Sequence, residues 1–128
     1  MRVLIVYRHE LLRDQVADLL TTAGLEVATH VKGPEEIGAK ARSWKPDVIL
    51  LDIQYAATAL QDLLKDLKQT LPKTRWVIAG PEPHDFYARH FAALGADLYL
   101  SEAQRPQEWL REICAMAPSG NESKPRSD

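Results

Sequence analysis

Few side chains in this sequence stand where they could do chemistry, and the clearest is Asp52, which closes the apolar run VILLD at 48–52. A carboxylate in that setting can accept a group, help hold a cation or pair with a nearby base. Cys114 is the only cysteine. No disulfide can form within the chain, and a reducing compartment is the simpler expectation. Its place late in a helical pattern fits packing better than a nucleophile. His9 follows the first apolar run and reads as a loop residue. His84 and His90 are six positions apart, too far round a helix to share a face, and read as solvated. None of these has a second histidine or cysteine at ligand spacing, so the sequence predicts no metal site. The six glycines are isolated, which leaves no glycine-rich phosphate cradle.

The elements that would position Asp52 alternate between two periodicities. Short apolar runs occur at VLIV (3–6), LEVATHV (25–31), DVILLD (47–52), RWVIAG (75–80) and DLYLS (97–101). Continuous apolar character predicts strands covered on both faces, hence a parallel sheet. Helical spacing fills the intervals. Leu11, Leu12, Val16, Leu19 and Leu20 recur at three- and four-residue steps, and Ala23-Gly24 supplies a stop. A second helix opens at Pro34, with Glu35 and Glu36 near its positive end, and stops before Lys45-Pro46. The third spans about 56–70, the fourth about 84–94, and the fifth starts near Pro106 with Trp109, Leu110, Ile113 and Met116. Five βα units predict an α/β, flavodoxin-like, doubly wound parallel sheet of order 2-1-3-4-5, with sites at the carboxyl ends of the strands.

At 128 residues the chain suits one domain with a core of its own. Hydrophobic residues make up 45% and charged residues 27%, the formal net charge is −2, and no basic stripe marks a nucleic-acid surface. No apolar run reaches the roughly 18–20 residues of a membrane span. The opening MRVLIVYRHE lacks the long apolar core of a signal peptide. A cytoplasmic protein is the expectation. The domain boundary falls at 117. Residues 118–128, PSGNESKPRSD without 117, are polar and aperiodic, a disordered tail or the start of a linker.

The stretch VLIVYRHELLRD resembles the opening of response-regulator receiver domains that precede helix-turn-helix output domains, which typically read V-D-D-H-E-L-L-R. VILLD and GADLYL fit the same family, and the likeness covers about 2–116. The resemblance implies that Asp52 sits where receivers carry the phosphoacceptor aspartate. In the family, two acids after the first strand hold Mg²⁺ with that aspartate. A hydroxyl ends the fourth strand, a lysine ends the fifth, and an aromatic on the fifth strand moves inward on activation.

The departures from that pattern shape the functional expectation. Tyr7 and Arg8 stand in place of the acidic pair, Gly80 in place of the hydroxyl residue, and Glu102 in place of the lysine. Mg²⁺ takes hard oxygen donors; a phenol is a poor one and a guanidinium is none. Of the five family positions only Asp52 is kept. No cofactor, no Mg²⁺ and no enzymatic activity are expected, and Arg8, Asp52 and Glu102 are expected to form an ion-pair cluster instead. Tyr99, the aromatic of the fifth strand, is expected to lie inward beside the space left by Gly80. The resemblance then implies an atypical receiver, a signalling module that works through protein interaction without phosphorylation.

Its partner, another signalling protein or a second copy, would meet the face of the fourth helix, fifth strand and fifth helix. Phe86, Tyr87, Phe91 and Trp109 are the candidates there. A DNA-binding output domain would follow if the chain is a fragment. Two alternatives stand beside this reading. In one, Asp52 is phosphorylated slowly with Arg8 standing in for Mg²⁺; in the other, a small molecule fills the cleft at the strand ends.

Overall fold

The computed structural model describes residues 1–29, 34–52, 60–83, 85 and 95–116. Along the chain these form β1 (Arg2–Val6), α1 (Glu10–Thr22), β2 (Glu26–Ala28), α2 (Pro34–Trp44), β3 (Val48–Asp52), α3 (Leu60–Thr70), β4 (Arg75–Gly80), β5 (Leu98–Ser101) and α4 (Pro106–Ala115). All neighbouring strands are parallel, in the order β2-β1-β3-β4-β5. This is the doubly wound sheet that the alternation of apolar runs and helical spacing predicts. The helix predicted at 84–94, apart from Asp85, and the tail at 118–128 lie outside the described residues. The second strand pairs with Arg2, Val3 and Leu4, and the last two residues of its apolar run lie outside the described residues.

Side chains alternate across a strand, and here both faces are covered. On one face Val3, Ile5, Tyr7, Val48, Leu50, Val77, Ala79 and Leu100 pack with Val16 and Leu20 of α1 and with Trp109 and Ile113 of α4. The opposite face joins Leu4, Val6, Ile49, Leu51, Trp76, Ile78 and Tyr99 to Ile37 and Ala41 of α2 and Leu64 and Leu67 of α3. That explains why the strands read as continuous apolar runs rather than as alternating ones.

The helix ends are fixed locally. His9 is not a plain loop residue: its Nδ1 accepts the amide hydrogen of Leu12 at 3.3 Å and caps α1. At the other end of α1, Gly24 takes φ +97 and Leu25 donates to the Leu20 carbonyl at 3.0 Å. This is the left-handed stop that glycine adopts without a Cβ penalty. Glu108 accepts from the Arg105 amide at 2.8 Å where α4 begins, one residue ahead of Pro106. Cys114, expected to pack, is exposed on α4. The core side of this helix is taken by Trp109 and Ile113.

Candidate functional site

Three of the residues singled out in the sequence meet at the carboxyl end of the sheet. Tyr7 follows β1, Asp52 ends β3 and Glu102 follows β5. Tyr7 continues the alternation of Val3 and Ile5, Asp52 that of Val48 and Leu50, and Glu102 that of Leu100. All three therefore belong to the α1/α4 face. In the strand order, β3 lies between β1 and the pair β4 and β5, so Asp52 is flanked by the other two.

The Tyr7 hydroxyl donates to Glu102 Oε2. Glu102 is tied a second time, its amide donating to the Gly80 carbonyl at 2.8 Å. The Arg8 amide donates to Asp52 Oδ2 at 3.0 Å. Tyr7 and Asp52 are only 5% and 6% exposed. Burial holds the Tyr7 hydroxyl well above the usual tyrosine range, and the hydrogen bond to Glu102 and the charges of Glu102 and Asp52 push it further. The phenol ring rests edge-on against Trp109, with centroids 5.9 Å apart and planes at 80°.

Two expectations need correction. No ion pair among the described residues joins Arg8 to Asp52 or to Glu102. The Arg8 side chain is exposed and its main-chain N–H makes the contact. Sinking a guanidinium costs desolvation, and the amide already serves the carboxylate. Trp109 is not an interface residue either. It is 1% exposed, and its indole N–H donates to the Ser101 carbonyl at 2.9 Å. Its ring belongs to the α1/α4 core. The other interface candidates, Phe86, Tyr87 and Phe91, lie outside the described residues.

Gly80 and Tyr99 belong to the opposite face. Gly80 is buried and continues the alternation of Trp76 and Ile78, in register with Ser101. Tyr99 is 2% exposed, in register with Ile78, and its hydroxyl donates to the Glu82 carbonyl at 3.0 Å. Tyr7, Asp52 and Glu102 thus take one side of the sheet, and Gly80 and Tyr99 the other. Sequence reasoning did not find the Tyr7–Glu102 bond, nor the role of Ser101. The Ser101 amide donates to Gln104 Oε1 at 2.9 Å, and its hydroxyl accepts from the Ala103 amide at 3.1 Å. Continued strand parity at Tyr7 and Glu102 was the available signal.

Among the described residues, the groups beside Asp52 include a phenol that donates to Glu102 and a main-chain N–H. Such donors do not fit Mg²⁺, which requires several oxygen ligands in near-octahedral geometry. Among the described residues, no group of three or more His, Cys, Asp or Glu side chains is placed to hold a metal ion. No described helix is long and apolar enough to cross a membrane.

No family model matches the chain. The response regulator GacA of Pseudomonas viridiflava is 27% identical over 113 residues, which cover 88% of this chain and 53% of that protein. A protein-glutamate methylesterase/protein-glutamine glutaminase of Archaeoglobus fulgidus is 51% identical over 76 residues, 56% of this chain and 21% of that one. The chain therefore spans about half the length of the first relative and about a fifth of the second. The chemotaxis response regulator CheY4 of Vibrio cholerae superposes with a TM-score of 0.76 at 26% identity, over 90% of this chain and 97% of that one. Parallel sheet, strand-end aspartate and relatives agree: the chain is a response-regulator receiver domain of the CheY-like kind. It has the signalling role of such domains.

Proposed function

We propose that this is an atypical receiver, a signalling module that works by protein interaction and without phosphorylation of Asp52. The observation that carries this reading is the hydrogen bond from Tyr7 to Glu102. It occupies, with a neutral donor and an acid, the two positions that would otherwise supply a metal-binding carboxylate and a phosphoryl-binding lysine. Phosphoryl transfer depends on positioned positive charge. A buried phenol and a carboxylate beside Asp52 offer none, and the carboxylate repels the incoming group.

The domain has no Mg²⁺ and no turnover of its own in this reading, and it acts in the cytoplasm. Its partner is a signalling protein or a second copy, met around β5 and the exposed side of α4. Longer relatives, such as the transcriptional regulatory protein DegU of Brevibacillus brevis, of which the match covers 51%, favour a DNA-binding output domain as the further partner within one chain. Intact-mass measurement after treatment with acetyl phosphate and Mg²⁺ tests the reading. The mass is expected to stay unchanged. A stoichiometric gain of one phosphoryl group, abolished by Asp52→Asn, would overturn it and favour slow modification of Asp52.

A further inference from the structure

We propose that the Tyr7–Glu102 hydrogen bond is a latch that closes over Asp52 and keeps its carboxylate from reagents and partners. It rests on the reading above only in treating Asp52 as a residue that is not normally modified. The geometry comes from the sheet. Adjacent strands are about 4.8 Å apart, and β1 and β5 are separated by β3 and β4. A bond between the residues that follow β1 and β5 therefore has to arch across the ends of the two strands between them. Strand parity puts Tyr7, Asp52 and Glu102 on the same side, so the arch passes over Asp52 and not behind it.

Both ends of the arch are anchored. The Tyr7 ring is fixed against Trp109, whose indole is itself bonded to Ser101 at the end of β5. Glu102 is held through its amide by Gly80. Asp52 is only 6% exposed, although it stands at the end of a strand, where side chains commonly meet solvent. The arch spans 95 positions of sequence, so opening it loosens the β5–α4 turn as well as uncovering the carboxylate.

Carbodiimide-driven coupling of glycinamide to carboxylates, located residue by residue through mass spectrometry, reads the latch directly. The exposed Asp18 serves as the internal reference. In the unmodified protein Asp52 is expected to react far more slowly than Asp18. Tyr7→Phe and Glu102→Ala each remove the bond and are expected to raise Asp52 coupling about fivefold or more, as a local opening becomes cheaper. Glu102→Gln keeps an amide oxygen that accepts from Tyr7 and is expected to stay at the starting rate.

Circular dichroism identifies the folded variants, and either of the two bond-removing variants suffices. Unchanged Asp52 coupling in a folded bond-removing variant would overturn the latch. So would fast coupling in the parent protein, or a rise in Glu102→Gln equal to that in Glu102→Ala. None of these outcomes involves a phosphodonor. The latch and the absence of phosphorylation therefore fail separately.

Discussion

The ring of Tyr7 meets the indole of Trp109 edge-on, 5.9 Å between centroids, so the hydroxyl that holds Glu102 is carried by a ring locked into the core. A phenol in that position ionises with difficulty. Its pKa is raised first by burial and then by the bond to Glu102. The folded state therefore keeps a proton that the unfolded chain releases near pH 10. Stability from this group is complete below about pH 10 and is lost as pH climbs toward the folded value, by up to about 1.4 kcal/mol per pH unit. Tyr7→Phe has no proton to lose there. Its urea midpoint is expected to fall less steeply than that of the parent above pH 10, and parallel profiles would mean that Tyr7 ionises freely.

Trp109 separates a core role from an interface role by magnitude. Deleting a buried indole leaves a large cavity, and Trp109→Ala is expected to cost about 3–5 kcal/mol in urea unfolding. Trp109→Phe retains most of the apolar contact and removes the indole bond, while the Ser101 carbonyl keeps the Gln104 amide at 3.0 Å, so the loss is about 0.5–1.5 kcal/mol. A loss below about 0.5 kcal/mol for the alanine variant would match a surface residue instead.

The two Trp109 readings show what this sequence can and cannot disclose. VILLD and RWVIAG declare covered strands because parallel sheets bury both faces, and those runs are β3 and β4 almost to the residue. The face that each side chain takes also follows from parity. An aromatic in an amphipathic helix has no such rule: at position 109 it fits both a core and a docking surface, and only packing against Tyr7 decides. The Tyr7–Glu102 bond joins positions 95 apart, so it depends on how β1 and β5 are spaced by two other strands. Arg8 was misassigned because charge type suggested a side-chain pair, whereas the chain turns there and offers its amide.

Arg8 gives a prediction opposite to that of an ion-pair cluster. With its side chain exposed and the amide making the contact to Asp52, Arg8→Ala leaves that hydrogen bond in place. Unfolding free energy is expected to change by less than about 0.5 kcal/mol at neutral pH and at low pH alike. A larger loss confined to neutral pH would show that the guanidinium does pair with a carboxylate. Arg8→Pro is the informative contrast, because it removes the amide itself and leaves Asp52 Oδ2 without that donor, for about 1–3 kcal/mol before any backbone strain.

Tyr99 closes the series from the other face of the sheet. Its ring is almost fully buried and its hydroxyl reaches the Glu82 carbonyl just beyond β4, so it ties β5 to the loop that leaves β4. A ring held in a close-packed interior and bonded at its tip occupies one rotamer. Side-chain NMR is expected to show a single χ1 state, and a ring exchanging between two states would end the claim. Tyr99→Phe is expected to cost about 0.5–1.5 kcal/mol, the net value of one neutral hydrogen bond. Gly80 offers the complementary test, being buried, on the same face as Tyr99 and one alternate position beyond its register partner Ile78. Gly80→Thr places three new heavy atoms on that side, and crowding of this kind costs about 1–3 kcal/mol. If the added side chain displaces the ring, the variant shows both the stability loss and a second χ1 state. Stability loss with the ring unmoved would mean that the threonine is absorbed elsewhere and that Gly80 does not control Tyr99.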